Sequence, residues 1–400
     1  MLKILSLRGI LMDNYVTKAE LVDNTLVLFV EGEINSNNSL EVEKELFEAA
    51  KKEKAKKIVM DFSGVKYVSS AGLRTVLKMK QTFGDVAVGE ATPEVYDILQ
   101  MTGFTNIMEI RRALKTIDIT NCELIGEGYC AVVYRIDKDT IVKVFKRPTP
   151  IEEVERELKL AKEAFVLGIP TAISFDVVRV GERLGVRFEL LDSISLRDLF
   201  RDKKEDYEVW VKKYAALLKK INTTETLDES LPKTKDTWIA KLEPIKKDLS
   251  AKDYKKLISM MEALPERNTF VHGDCHIKNI MSQGGELLLI DMDTLSRGNP
   301  IFELAAIYCT YVGFQLDDPG NSEKFLGLSD EFSEKLFYDV AAEYLGNRDE
   351  ATLDKIRIVA YSHFLRWNRS NEPENTDRFD KMRERLLELL PKYNDLNIEA

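Results

Sequence analysis

The pattern of apolar and polar positions changes character part-way along the chain. Residues 25–31 (TLVLFVE) form a short apolar run that predicts a strand. Residues 39–52 (SLEVEKELFEAAKK) carry apolar side chains at helical spacing, with Ser39 placed as an N-cap. Residues 57–62 (KIVMDF) predict a buried strand, Ser70–Phe83 (SAGLRTVLKMKQTF) a helix, and 85–88 (DVAV) a short strand. Pro93 sits near the start of a further helix that ends at Gly103, and 106–110 (NIMEI) predict a last short strand. This alternation argues for a small α/β domain over residues 1–114.

A break falls near residues 113–120, and a different pattern follows. Residues 123–147 read as antiparallel strands around a Gly-rich turn, Ile151–Leu167 as a charged helix, and 175–191 as two strands joined at Val180-Gly181-Glu182. From Leu196 the pattern is mostly helical, interrupted at 269–293. This second part therefore reads as a two-lobed α+β fold, with a β-rich lobe over 115–192 and a helical lobe over 193–400.

Composition narrows the class. With 44% hydrophobic and 32% charged residues, the chain has the make-up of a soluble globular protein. No apolar run approaches the roughly 20 residues that cross a bilayer. Met1–Met12 is mildly apolar and lacks the core of a signal peptide; it reads as a disordered leader or as an early start upstream of Met12. Cys122, Cys130, Cys275 and Cys309 form no C-x-x-C pair, and unpaired thiols fit a cytoplasmic protein. The net charge is −10, yet residues 1–115 carry 16 basic and 16 acidic side chains, so the excess lies beyond them. An acidic chain without a basic stripe is a poor nucleic-acid binder; its charge serves solubility or a cationic partner.

Four elements of the second part occur in the order that phosphoryl transfer needs. Gly126-Glu127-Gly128-Tyr129-Cys130-Ala131-Val132 lies between two strand patterns. Its glycines allow backbone N–H groups to approach phosphate oxygens, although a bare G-x-G turn also fits an ordinary hairpin. Lys143 is a lone cation in an apolar strand, Ile141–Phe145, and is either a rigid phosphate ligand or a snorkelling edge lysine. Glu157 is its favoured partner on the following helix, with Glu153 and Glu155 as competitors. The third element, Val271-His272-Gly273-Asp274-Cys275-His276-Ile277-Lys278-Asn279, has the pattern H-G-D-x-H-x-x-N. Asp274 can accept the proton of an incoming hydroxyl, Asn279 can ligate a metal, and His272 reads as a loop scaffold. The fourth, Leu288-Leu289-Ile290-Asp291-Met292-Asp293, closes an apolar strand with carboxylates, an expensive arrangement unless a cation such as Mg²⁺ meets them. Asp291 is the preferred ligand, with Asp293 assisting.

Together these residues resemble the aminoglycoside phosphotransferase and choline kinase family, distant relatives of protein kinases. The resemblance implies ATP or GTP as co-substrate, Mg²⁺ as cofactor, and an adenine-holding hinge at Phe188-Glu189-Leu190-Leu191. It also aligns Gly298–Ala305 with the family's G-D-P-x-x-D-L-A segment, where Asn299 and Glu303 replace its two aspartates. The third glycine of the protein-kinase loop is Ala131 here. The implied acceptor is a small hydroxylated molecule, with a cationic one as one class, or a protein serine. Glu372, Glu374 and Asp377 would suit a cation, or form an exposed acidic loop. In the first part, Asp61-Phe62-Ser63-Gly64-Val65-Lys66-Tyr67-Val68-Ser69-Ser70-Ala71-Gly72-Leu73-Arg74 resembles the STAS domain of anti-sigma-factor antagonists. That resemblance implies docking to a protein partner or self-association, and makes Ser70 a candidate phosphorylation site at a helix start. The bland reading of Ser69 or Ser70 is a helix cap. The expected protein is thus a phosphotransferase coupled to a STAS-like domain. The alternative is a partner-switching signalling protein that only binds nucleotide.

Overall fold

The computed structural model describes residues 3–5, 15–22, 24–53, 55–128, 130–202, 206–346 and 349–398. The chain folds as two compact units, Met1–Ile117 and Asp118–Ala400.

The first unit is a six-stranded sheet in the order β1 (Lys3–Leu5), β2 (Tyr15–Val22), β3 (Thr25–Ile34), β4 (Lys57–Val68), β5 (Val86–Ala91), β6 (Ile110–Arg112). The first three strands pair antiparallel; β3 to β6 run parallel. Helices α1 (Ser39–Lys52), α2 (Ser70–Phe83) and α3 (Pro93–Met101) supply the crossovers that parallel strands require. Leu26, Leu28 and Val30 alternate inward along β3 and pack with Val42 and Leu46 of α1, Met60 and Phe62 of β4, and Val76 and Met79 of α2. Ser69 caps α2, its hydroxyl accepting from Gly72 N at 3.4 Å. Gly72 is sterically required, since a Cβ there would lie 2.7 Å from Ile34 Cγ2 and 2.9 Å from Val68 Cγ1. The S-S-A-G motif thus lets the helix start close against the strand ends.

The sequence pattern missed β2, because Thr17 and Ala19 are its buried positions and neither advertises a strand. The strand expected at 106–110 is displaced to Ile110–Arg112. Gly103, at φ +81°, turns the chain into a short 3₁₀ segment, Phe104–Asn106, and the amides of Ile107 and Met108 both bond to Phe104 O. Of the leader expected over 1–12, Lys3–Leu5 pair as an edge strand, and the remainder lies outside the described residues.

In the second unit, β7 (Glu123–Glu127), β8 (Ala131–Arg135), β9 (Thr140–Phe145), β10 (Ser174–Val180) and β11 (Arg183–Glu189) form an antiparallel sheet in the order β10-β11-β9-β8-β7. Helix α4 (Ile151–Val166) packs on it. Val142 and Val144 of β9 are fully buried, so the intervening Lys143 projects from the opposite face. Beyond residue 195 the unit is a helical lobe whose core includes Tyr214, Phe270, Phe302, Tyr311 and Phe364. A hairpin, Ile280–Gln283 with Glu286–Leu289, and an antiparallel pairing of Phe270–Val271 with Ser296–Arg297 frame the interruption expected at 269–293.

Candidate active site

Strand β9 delivers Lys143, whose ammonium lies 2.7 Å from Glu157 Oε1 on α4 and 2.7 Å from Asp291 Oδ1 beyond the Glu286–Leu289 strand. Helical spacing decides among the three glutamates of α4. Glu157 shares the buried face with Val154 and Leu160, while Glu153 and Glu155 are exposed. Burial alone would push the lysine down, but the two carboxylates override it and hold Lys143 well above its ordinary value.

The loop carrying Asp274 is propped on every side. Asn279 donates from Nδ2 to Asp274 O at 3.0 Å and to Asp274 Oδ2 at 3.1 Å. That leaves Oδ1 as the Asn279 side-chain atom with no hydrogen-bond partner among the described residues. Fully buried His272 accepts from Asp274 N through Nδ1 at 3.3 Å, and Thr294 Oγ1 donates to His272 O at 2.6 Å. Gly273 has φ +81°, the turn that reverses the chain here.

Three further supports were not read from the sequence. Glu303, with no exposed surface, accepts from His272 N at 2.5 Å and Gly273 N at 3.1 Å. Tyr311 Oη accepts from Ile277 N at 2.9 Å, and Tyr214 Oη donates to Cys275 O. Tyr311 reaches the loop because the helix Ile301–Tyr308 runs on into a π-helical turn, Cys309–Gly313. No local motif announces these contacts. Only the acidic residue at position 303 gave a signal, and it read as a conservative replacement rather than as a clamp on two amides.

The electrostatics concentrate unneutralised negative charge around Asp274. Desolvation by the surrounding protein, then the charges of Asp291 and Asp293, push Asp274 up to about 7. Its side chain is 45% exposed, so water screens part of that repulsion. Asp293 is raised by the protein around it and by Asp291, and Glu303 is pushed up to about 7 by burial. His276 Nε2 lies 3.5 Å from Asp274 Oδ1, but burial pushes the ring down to about 4, so this contact is not an ion pair at neutral pH.

Gly126 and Gly128 end β7 and begin the turn into β8; Tyr129 lies outside the described residues. A Cβ on either glycine would meet nothing closer than 3.7 Å, so packing within the chain does not demand them. At the end of β11, the amides of Glu189 and Leu190 bond to Ile173 O (2.9 Å) and Asp139 O (2.8 Å), and the Glu189 carboxylate accepts from Ile173 N at 2.7 Å. Half-buried Leu191 follows directly.

A groove of about 590 Å³ on the helical lobe is lined by Asp317, Asp318, Glu372, Glu374, Asn375 and Arg378. Much of its acidity is answered within the chain, since Glu372 pairs with Arg378 at 3.1 Å and Asp317 with Arg385. Asp377 pairs with Lys381 at 2.8 Å. In the first unit, Ser70 is exposed at the first turn of α2, and Ser69 makes the cap.

Among the described residues, no group of three or more His, Cys, Asp or Glu side chains could hold a metal ion on its own. A Mg²⁺ ion that shares its ligands with nucleotide phosphates needs only one or two protein groups. The Asp291 carboxylate and Asn279 Oδ1 fit that requirement.

Lys143 with its glutamate, a propped aspartate loop and a strand-end aspartate define a kinase-like phosphotransferase. The model of the phosphotransferase enzyme family matches residues 121–334, more than half of the chain, which therefore belongs to that family. The STAS domain model matches residues 17–117. BtrV of Bordetella bronchiseptica, named as an anti-sigma factor antagonist, is 33% identical over 94 residues, covering 22% of this chain and 79% of its own. Among solved structures, an apo thermostable mutant of the aminoglycoside phosphotransferase APH(4)-Ia is 14% identical, covering 68% of this chain and 94% of its own, with a TM-score of 0.46. A choline/ethanolamine kinase family protein from Mesorhizobium loti is 12% identical, covering 68% and 92%, with a TM-score of 0.45. No helix among the described residues is long and apolar enough to cross a membrane.

Proposed function

We propose that the chain transfers the γ-phosphoryl group of ATP or GTP to a hydroxyl of a small molecule or a protein serine. The observation that carries this reading is Lys143 held at 2.7 Å from both Glu157 and Asp291, in the unit that also holds the Asn279–Asp274 pair on its propped loop. Asp274 accepts the proton of the acceptor hydroxyl as its oxygen attacks phosphorus and the bridge to the β-phosphate breaks. Raised toward neutrality, it is a matched base for that transfer. Lys143, oriented by Glu157, pairs with the nucleotide phosphates once Asp291 turns from it. Mg²⁺, held through Asp291 and Asn279 Oδ1, would neutralise charge on those phosphates. Gly126 and Gly128 leave backbone room for phosphate oxygens, and Glu189 and Leu191 would hold the base through their main chain.

In this reading the β-rich lobe spans 115–192 and the helical lobe 193–400, with residues 1–114 as a docking module that Ser70 phosphorylation tunes. A cationic hydroxylated acceptor is the first small-molecule class to try, given the chain's acidic excess. The test is a phosphate-transfer screen with ATP and GTP, with and without Mg²⁺, against aminoglycosides, small amino alcohols and the protein itself. Transfer to any of these that Asp274→Asn abolishes supports the proposal. Tight nucleotide binding with no turnover on any acceptor would favour a partner-switching protein that only binds nucleotide.

A further inference from the structure

The helix Glu350–Asn371 carries three arginines in unlike surroundings. Arg357 binds Glu350 and Asp354, and Arg369 holds Asp248 through Nη2 at 2.5 Å and Nε at 3.1 Å. Arg366 lies between them and has no carboxylate partner among the described residues. Its Nη2 is 3.1 Å from both ring nitrogens of His363. An atom equidistant from both cannot lie in the ring plane without colliding with the carbon between them, so the guanidinium sits over the ring face. Lys241, just past the helix Thr234–Ala240, is a second cation acting on both Arg366 and His363, and it too has no ion-pair partner among the described residues. The Trp238 ring stacks 4.5 Å from the His363 ring at 34° and reaches Phe302 at 5.0 Å. Lys241 is exposed, while Trp238, His363 and Arg366 are half-buried, so the cluster opens to solvent.

Arg366 over the imidazole face and the nearby Lys241, with no carboxylate partner among the described residues, repel each other at a cost. Burial, then the neighbouring cations, push His363 down to about 3, and Arg366 and Lys241 are both lowered. The chain pairs the other two arginines of this helix, so the exception at Arg366 is local. A doubly charged oxyanion would match two cations, and its oxygens would take up the donors that the chain leaves without an acid.

We propose that Lys241, His363 and Arg366, backed by Trp238, form a second binding site on the helical lobe, for the phosphate group of a small phosphate ester or for free phosphate. None of these four residues is among those assigned to phosphoryl transfer, and the ligand is anionic whatever the acceptor of the transfer reaction proves to be.

The chain has three histidines, so ¹⁵N-histidine spectra of the full chain are simple, and the His363 signal is assigned with His363→Asn. Inorganic phosphate is titrated against chloride at constant ionic strength and pH 7.5, with ADP and Mg²⁺ present to occupy the nucleotide site. We expect the His363 signal to move saturably with phosphate and not with chloride. Lys241→Gln should weaken phosphate binding about 5-fold, the scale of one partly exposed charge contact, and Arg366→Gln should abolish it. Should Arg366→Gln not fold, the exposed Lys241→Gln change decides alone. Phenyl phosphate binding within a few fold of inorganic phosphate assigns recognition to the phosphate group, and tighter binding assigns the natural ligand to the esters. A His363 signal unmoved up to about 50 mM phosphate, or one that responds equally in Lys241→Gln, overturns the proposal.

Discussion

Replacing Glu303 with glutamine tests how the loop that carries Asp274 is held. The carboxylate is fully buried and accepts from two successive backbone amides, His272 and Gly273. Burial raises it from 4.5 to about 7. Below pH 4.5 the side chain is protonated whether the chain is folded or unfolded. As pH rises toward 7 the unfolded chain releases that proton and the folded chain keeps it, so stability falls through this window and levels off above it. A displacement of this size corresponds to about 3 kcal/mol. Glutamine carries no titrating proton, so Glu303→Gln lacks this loss. It also offers one carbonyl oxygen to two amide donors, which costs about 1–3 kcal/mol at any pH. Urea denaturation of both proteins at intervals from pH 4.5 to 8.5 should therefore show a wild-type advantage that shrinks by about 3 kcal/mol as pH rises. Asp274 and Asp293 titrate in both proteins and cancel, apart from the minor contribution of Glu303 to Asp274. Parallel stability curves across the range would refute the assignment of a buried, proton-binding clamp at this position.

Asp274→Asn should lower kcat by 10²–10⁴-fold, with nucleotide affinity within a few fold, because the base acts in the transition state; steady-state kinetics and calorimetry check both halves. Asp291→Ala should weaken nucleotide binding in the presence of Mg²⁺ and leave the metal-free affinity nearly unchanged, and unchanged metal dependence by calorimetry would move the ligand role to Asp293. Residues 118–400 form a compact unit and should fold and bind nucleotide alone; insolubility rescued by adding residues 1–117 would overturn this. Ser70→Asp should alter partner binding or self-association of the chain more than Ser70→Ala, since it adds charge at the start of α2, and equal light-scattering and pull-down behaviour of all three forms would leave Ser70 without a switching role.

Much of this architecture was legible because pattern and chemistry coincide. Helices α1 and α2 fall on the residues that their apolar spacing indicates, and Lys143 stood out as a cation inside an apolar strand. What could not be read involves contacts between distant segments. Glu303 lies 31 residues from His272, and Tyr311 lies 34 from Ile277. Both act through backbone amides, which leave no mark in a side-chain pattern. Strand β2 escaped for a different reason, since Thr17 and Ala19 are buried by β3 and α1 without being strongly apolar. The acidic segment at 372–377 was open to two readings, a cation site or an exposed acidic loop, and Glu374 and Asp377 are exposed. Its charges alone did not decide between them, and Arg378 and Lys381, later in the same sequence, pair with Glu372 and Asp377.

The costs in this fold collect at the site. Asp291 is one of three non-glycine residues with positive φ among the described residues, at +68°. Aspartate tolerates that region better than most residues, yet it still sacrifices backbone freedom there. Asp274, Asp293 and Glu303 are all raised, which means that the folded chain holds their ionised forms at a disadvantage. Lys143 answers only Asp291 and Glu157 within ion-pair distance. A structure selected for stability alone would relieve these residues by exchanging a carboxylate for an amide. Instead the carboxylates are kept around one lysine, and the loop that carries Asp274 is fixed by Glu303, Tyr311, Tyr214 and Thr294. Rigid supports around an under-neutralised cluster make sense if positive charge arrives with the ligand. The same groups would then lose much of their repulsion when Mg²⁺ and nucleotide bind, so binding affinity and thermal stabilisation by the metal–nucleotide pair should rise together.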